Sequence, residues 1–119
     1  MLVIDDDATF RELAAEMLRG WGISVVGEAD TVATASPAAK KLRPAAALVD
    51  VMLPDGSGVT LASELAALPW HPRVVLTSSD SDSITDAIAQ SAGVTGFIAK
   101  DELPDKRLAE LLTGRHQPE

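Results

Sequence analysis

Residues 45–58 have the sequence AAALVDVMLPDGSG, in which an unbroken apolar run ends in Asp50 and a turn rich in proline, aspartate and glycine follows. A strand without alternating polar positions is typical of a sheet that helices cover on both faces. Four further segments have a similar apolar character: residues 1–5, 23–28, 73–79 and 95–100. The quoted stretch therefore predicts one buried strand of a sheet that the other four segments complete.

Helical patterns separate these strands. The apolar residues between Phe10 and Leu18 recur at the spacing of one helix face, with Asp7 as the predicted N-cap. Ser83 and Pro104 are placed where two later helices would start. Because strands and helices alternate along the whole chain, the pattern implies right-handed crossovers and a parallel sheet.

The second helix has an uncertain start. The segment TVATASPAAKKLRP at 31–44 has helical composition, but Pro37 removes a backbone donor and disfavours a helix interior. Either the helix starts late, with Ser36 as its N-cap, or it is kinked at Pro37. The sequence leaves both possibilities open.

The length and composition of the chain fit one compact domain. We predict a single α/β domain over residues 1–119, three-layered and doubly wound, with a five-stranded parallel sheet, about five helices and a tail at 114–119. The absence of cysteine excludes disulfide and thiol chemistry. A net charge of −8 argues against direct nucleic-acid binding, and no stretch predicts a membrane span or a signal peptide, so we expect a cytoplasmic protein.

Polar residues follow the apolar runs at the points where the strands end. They are Asp5, Asp6, Asp50, Thr77 and Lys100. Because ligands of open parallel sheets bind at the carboxyl ends of the strands, we expect these side chains to share one crevice. Three close carboxylates need a cation, and Mg²⁺ prefers oxygen ligands of this kind. An aspartate beside such a cation can act as a nucleophile toward phosphorus.

The order of these motifs resembles a known family, the receiver domains of bacterial two-component response regulators. The resemblance covers nearly the whole chain and rests on VIDDD, on LVDVMLPDGSG with Pro54 and Gly58 at the family's spacings, on VVLTSS and on GFIAK. It implies the flavodoxin-like strand order 2-1-3-4-5.

The resemblance also implies a role for each matching position. Asp50 looks like the phosphoryl acceptor, and Lys100 looks like the lysine that pairs with the phosphoryl oxygens. The implied ligands of Mg²⁺ or Mn²⁺ are Asp5, Asp6, Asp50 and the backbone carbonyl of Met52. Thr77 resembles the switch hydroxyl, and Phe97 stands where the family often has an aromatic residue that follows the switch.

The function implied is that of a signalling domain. A sensor histidine kinase or a phosphotransfer protein would donate the phosphoryl group from a phosphohistidine, and a downstream protein or a separate output domain would respond. The domain would catalyse its own phosphorylation and dephosphorylation without being a metabolic enzyme. The implied signalling face comprises the fourth helix, the fifth strand and the last helix, and this face also offers a possible homodimer contact. Both a stand-alone regulator and an excised receiver fit the sequence.

Two other functions compete with this one. A receiver-like interaction module that no longer cycles phosphate would have the same fold, although the intact set of site residues argues against it. A metabolic phosphatase with an aspartate nucleophile shares the broad topology. Such enzymes resemble a D-x-D-x-T pattern at the first strand, whereas here Val51 and Met52 follow Asp50 at the third.

Overall fold

The computed structural model describes residues 1–79, 86–103 and 106–114. The strands are β1 (Leu2–Ile4), β2 (Gly27–Ala29), β3 (Ala46–Asp50), β4 (Met52–Leu53), β5 (Gly56–Ser57), β6 (Arg73–Ser78) and β7 (Gly96–Ala99). The α-helices are α1 (Ala8–Gly20), α2 (Val32–Leu42), α3 (Gly58–Ala66), α4 (Asp86–Ser91) and α5 (Lys106–Thr113). A short 3₁₀ turn, Lys100–Glu102, follows β7.

The main sheet is parallel throughout and has the order β2-β1-β3-β6-β7. Counted over its five strands, this is the order 2-1-3-4-5 that the family resemblance implied. Residues of α2 and α3 pack in an apolar core on one face of the sheet, and residues of α1 and α5 pack in a second core on the other face. The predicted three-layer, doubly wound architecture is therefore confirmed.

The two cores explain why β1 is apolar at every position. Successive side chains of a strand point to opposite faces of the sheet. Leu2 and Ile4 of β1 are buried in the core beside α2 and α3, whereas Val3 is buried in the core beside α1 and α5. Since both faces are covered, no position of β1 is left for a polar side chain.

The second strand lies later in the sequence than predicted. The apolar residues of the 23–28 segment indicated a strand there, but β2 comprises only Gly27–Ala29. Ile23 and Val25 are half-buried and pack against the core from the connection that follows α1. Their apolar character therefore reflects burial in a loop, which a strand pattern does not distinguish.

The second helix begins well before Pro37, so of the two possibilities that the sequence left open, the late start with Ser36 as N-cap is wrong. The Thr31 hydroxyl accepts from the Thr34 N–H at 3.1 Å, and the Thr34 hydroxyl accepts from the Thr31 N–H at 3.2 Å. The Asp55 carboxylate also accepts N–H groups at this helix end. These caps satisfy the first turn, and the helix includes the exposed Pro37.

The predicted cap of the first helix is confirmed, because the Asp7 carboxylate accepts from the N–H groups of Thr9 at 2.9 Å and Phe10 at 3.3 Å. The predictions for Ser83, for Pro104 and for residues 115–119 of the tail fall outside the described residues. Within the part of the chain that the structure describes, no helix has the length and apolar character that crossing a membrane requires.

Candidate functional site

Three carboxylates, those of Asp5, Asp6 and Asp50, meet at the carboxyl ends of the strands and form what we call the acidic edge of the sheet. Asp5 follows β1 directly and Asp50 ends β3, while Asp6 lies one residue beyond Asp5. One oxygen from each of the three side chains lies within 4.8 Å of the other two. Asp5 is 1% exposed and Asp50 is 7% exposed, whereas Asp6 is exposed to solvent. The structure therefore brings together the carboxylates that the sequence placed at this edge.

Lys100 supplies the positive charge of this edge from the end of β7. Its Nζ lies 2.6 Å from Asp5 Oδ2 and 3.4 Å from Asp50 Oδ2, and its side chain is 17% exposed. In the turn that follows, the Glu102 carboxylate accepts from the Ala99 N–H at 3.3 Å, which fixes the backbone beside Lys100. One ammonium therefore pairs with two carboxylates from two different strands.

Backbone groups hold the two buried carboxylates in place. The N–H of Asp7 donates to Asp5 Oδ1 at 2.9 Å, and the N–H of Met52 donates to Asp50 Oδ1 at 3.2 Å. Each carboxylate thus has one oxygen on a backbone N–H and the other oxygen facing Lys100. The side chain of Met52 is 71% exposed, so its contribution to the site comes from its backbone.

Burial and neighbouring charges shift the ionisation of the site. Burial raises the pKa of Asp50 above its ordinary value of 3.8, and the charge of Asp5 raises it further. The N–H of Met52 and the ammonium of Lys100 lower the pKa of Asp50, but by less. Burial also lowers the pKa of Lys100, but its pairing with Asp5 and Asp50 outweighs this, so that pKa lies above its ordinary value of 10.5. Lys100 is therefore held as a cation.

Thr77 lies on β6 directly beside the acidic edge. It is paired in register with Asp50 of β3, and its backbone carbonyl accepts from the Val51 N–H at 2.9 Å. Thr77 Oγ1 is buried and has no hydrogen-bond partner within residues 1–79, 86–103 and 106–114. A buried hydroxyl without a partner is unusual, because such groups are nearly always satisfied. Phe97 is half-buried on β7, in register with Leu76.

The acidic edge fits a hard divalent cation. Opposite ligands of Mg²⁺ at about 2.0 to 2.1 Å from the ion are about 4 Å apart. One carboxylate oxygen from each of Asp5, Asp6 and Asp50 lies within 4.8 Å of the other two, so the three oxygens would have to draw closer to share one coordination sphere, in which adjacent ligands are about 3 Å apart. Because all three donors are oxygens, the set suits Mg²⁺ or Mn²⁺ better than a metal that prefers nitrogen or sulfur.

The sequence analysis missed two contributors to this edge. Arg11 donates from Nη1 to the carbonyl oxygen of Asp5 at 2.6 Å and pairs through Nε with Glu28 at 3.1 Å. The ring of Phe10 lies under the ammonium of Lys100, with 4.3 Å between Nζ and the ring centroid. The helical spacing of Phe10 indicated only that it faces the core, since nothing local in the sequence marks its contact with Lys100.

Comparisons with known proteins agree with this geometry. The family model described as "Response regulator receiver domain" matches residues 1–112. The chain is 32% identical to the DNA-binding response regulator MtrA of Mycobacterium tuberculosis over 113 residues, which cover 93% of this chain and 48% of MtrA. It is 36% identical to the DNA-binding transcriptional activator DevR/DosR of the same organism over 104 residues, 85% of this chain and 47% of that protein. The chain spans about half the length of these relatives.

Solved structures show the same likeness. The signal receiver domain of the response regulator NarL from Mycobacterium tuberculosis superposes with a TM-score of 0.82 at 31% identity, covering 96% of this chain and 95% of that one. The BeF3-activated receiver domain of RstA from Klebsiella pneumoniae has a TM-score of 0.78 at 30% identity, covering 92% of each chain. With fold, acidic edge and sequence in agreement, this chain belongs to the receiver domains of response regulators.

Proposed function

We propose that Asp50 accepts a phosphoryl group from a phosphohistidine and that this modification switches the surface by which the domain binds its partners. The observation that carries the proposal is the position of Lys100 Nζ, 2.6 Å from Asp5 Oδ2 and 3.4 Å from Asp50 Oδ2. A cation placed at an aspartate of an acidic edge can stabilise the charge that develops on a transferring phosphoryl group.

The transfer forms one bond and breaks one. An oxygen of the Asp50 carboxylate attacks phosphorus, and an O–P bond forms while the P–N bond of the phosphohistidine breaks. The electron pair of the P–N bond stays on the imidazole, and the product is an aspartyl phosphate. With a small donor such as acetyl phosphate, the P–O bond to the acetyl group breaks instead and acetate leaves.

The residues around Asp50 have distinct parts in this proposal. Asp5, Asp6 and Asp50, with the backbone carbonyl of Met52, would hold Mg²⁺ or Mn²⁺, which when bound offsets the charges of the carboxylates and the phosphoryl oxygens. Lys100 moves from its pairing with Asp5 toward a phosphoryl oxygen. The N–H of Met52 keeps Asp50 Oδ1 oriented throughout.

Thr77 is the residue that we assign to the switch. Its hydroxyl is buried on the residue of β6 that pairs in register with Asp50 and lacks a partner among the described residues, so a phosphoryl oxygen would give it an acceptor. Phe97 on the neighbouring strand, in register with Leu76, is the aromatic residue that we assign to follow this switch. Such a local charge change biases a two-state element, as in other phosphorylation switches.

The partners follow from this function. We infer a sensor histidine kinase or a phosphotransfer protein as donor, and a downstream protein or output domain as recipient, in the cytoplasm. The relatives MtrA and DevR/DosR are named as DNA-binding, and for this chain we assign any such contact to an output domain, since its own net charge is −8. The face formed by α4, β7 and α5 is the proposed signalling and homodimer surface, where surface substitutions should weaken partner binding.

The test is intact-mass measurement after incubation with acetyl phosphate. Wild-type protein should gain one phosphoryl group with Mg²⁺ and none with EDTA, and Asp50→Asn should gain none under either condition. Asp30→Asn, which removes an exposed carboxylate outside the site, serves as the matched control and should behave as wild type. A phosphoryl mass gain in both wild type and Asp50→Asn would show that a residue other than Asp50 accepts the group. No gain in either would favour an interaction module that does not cycle phosphate.

A further inference from the structure

Among the described residues, two carboxylates and one aromatic ring lie close to the ammonium of Lys100. The carboxylates are Asp5 at 2.6 Å and Asp50 at 3.4 Å, and the ring is that of Phe10, whose centroid lies 4.3 Å from Nζ. A cation above a ring face within about 6 Å of the centroid is attracted by the ring quadrupole. Phe10 therefore contributes an attraction to Lys100 that uses no acceptor oxygen.

The backbone that carries this ring belongs to the turn that also holds Asp5. Phe10 lies in the first turn of α1, and its N–H donates to the capping carboxylate of Asp7 at 3.3 Å. The N–H of Asp7 in turn donates to Asp5 Oδ1 at 2.9 Å. The same turn thus holds both the Asp5 carboxylate and the Phe10 backbone, and from this position the Phe10 ring lies 4.3 Å from Lys100 Nζ.

The two kinds of contact behave differently during the proposed phosphorylation. Asp5 is a ligand in the proposed cation site, so its carboxylate has to exchange the ammonium for the cation. Asp50 is the proposed acceptor, so the charge beside Lys100 shifts to the phosphoryl oxygens. The Phe10 ring takes part in neither change, and its contact with Nζ can persist through both.

We propose that Phe10 is a positioning residue for Lys100, whose ring face keeps the ammonium beside Asp50 while the ammonium exchanges carboxylate for phosphoryl partners. The inference rests on the proposed phosphorylation of Asp50 and adds to it a residue outside the polar set. An aliphatic side chain of similar size would fill the same volume but would offer the ammonium no such attraction.

The surroundings of Phe10 provide the matched control. Phe10 and Lys100 share the lining of an open cavity of about 610 Å³ with Leu13, Met17 and Trp21. A change at Phe10 alters this cavity as well as the contact with Lys100, and the two effects have to be separated. Leu13 is 60% exposed and lines the same cavity from the same helix, so Leu13→Ala changes the cavity and leaves the ring in place.

The experiment compares initial rates of phosphorylation by acetyl phosphate at saturating MgCl₂, followed by intact mass. This small donor does not need a docking surface, so the rates report on the site itself. Phe10→Leu and Phe10→Met should react roughly 3- to 10-fold more slowly than wild type, because without the ring the ammonium is held beside Asp50 only by the carboxylates that it has to exchange, and it is placed less often for transfer. Phe10→Tyr keeps the ring face, and it should match wild type within about twofold, as should Leu13→Ala.

The chemical shifts of the Lys100 side chain test the contact with the ring directly. The ε-methylene protons of Lys100 should be shifted upfield by the ring in wild type and in Phe10→Tyr, and this shift should be lost in Phe10→Leu. Equal rates in wild type and Phe10→Leu would overturn this inference alone, as would a Phe10→Tyr variant as slow as Phe10→Leu. Absence of phosphate on wild-type protein would overturn the proposed function and this inference together.

Discussion

Gly58 offers the sharpest test of the packing behind the acidic edge. It begins α3 and is buried, and a Cβ placed on it would lie 1.7 Å from the carbonyl oxygen of Asp50 and 2.7 Å from its carbonyl carbon. Ordinary contact begins near 3.4 Å. Because the obstructing atoms belong to the backbone, no side-chain rotation relieves the overlap, and either β3 or the start of α3 has to move.

The size of the effect follows from this overlap. Overpacking a core where side chains can adjust costs about 1 to 3 kcal/mol. A backbone clash lies at the upper end of this range, and we expect Gly58→Ala to lower the free energy of unfolding by about 3 kcal/mol. The same movement displaces Asp50 relative to Lys100, and a misplacement of about 1 Å can slow a reaction roughly 100-fold.

Urea unfolding, followed by tryptophan fluorescence, and the acetyl phosphate assay measure both effects. Gly20→Ala is the matched control, since a Cβ there meets no atom of the described residues within 4 Å, and it should stabilise the helix end by up to about 1 kcal/mol. Gly56→Ala is an intermediate case, because among the described residues its Cβ would meet a side-chain atom, Cγ2 of Val32 at 3.3 Å, and no backbone atom within 4 Å. A Gly58→Ala protein as stable and as readily phosphorylated as wild type would refute the close approach of these backbones.

Three further predictions concern charges. Burial raises the pKa of Asp50, so the folded state holds the Asp50 proton more tightly than the unfolded state does. The contribution of Asp50 to stability should therefore fall as the pH rises from about 3.8 through the raised pKa. Asp50→Asn should lack this fall in urea titrations without divalent ions. Asp6 is exposed, so Asp6→Ala should change the free energy of unfolding without metal by less than about 0.5 kcal/mol. For wild type, Mg²⁺ at 100 times its Kd should add about 2.7 kcal/mol of stability in thermal unfolding, and Asp6→Ala should reduce this gain. Asp55 accepts from the N–H groups of Val32 and Ala33 at 2.8 and 3.0 Å, and these hydrogen bonds lower its pKa. Asp55→Ala should therefore lower the urea midpoint at pH 7, and the difference from wild type should shrink as the pH falls through the lowered pKa.

The positions of Asp5, Asp50 and Lys100 are predictable from sequence for a simple reason. Apolar runs show where buried strands end, and the strands of a parallel sheet end at the same edge. The order of the strands across the sheet is a different matter. Run lengths do not specify which strands are neighbours, so the order 2-1-3-4-5 came from the family resemblance and was confirmed by the structure.

The errors arise where tertiary contacts override local patterns. Ile23 and Val25 are apolar because they cover the core from a loop, so the pattern placed the second strand too early. Pro37 disfavours a helix interior, but the capping pair Thr31 and Thr34, with Asp55 from a distant loop, satisfies the first turn of α2 before Pro37 is reached. The caps from Thr31 and Thr34 are local and could have been recognised, whereas the contribution of Asp55 could not.

The charges of the acidic edge favour a switch that would respond to phosphorylation rather than to a cation alone. Lys100 lies closer to Asp5 than to Asp50, at 2.6 against 3.4 Å, and the pKa of Asp50 is raised mainly by its burial. The charge of Asp50 is therefore the less well compensated of the two. A cation shared by all three carboxylates relieves this imbalance, but it gives no acceptor to Thr77 Oγ1, the buried hydroxyl that lacks a partner in the described structure. Lys100 already pairs with Asp5 and Asp50, whereas a phosphoryl group on Asp50, as proposed, would also give Thr77 an acceptor and would so link the chemistry at β3 to β6.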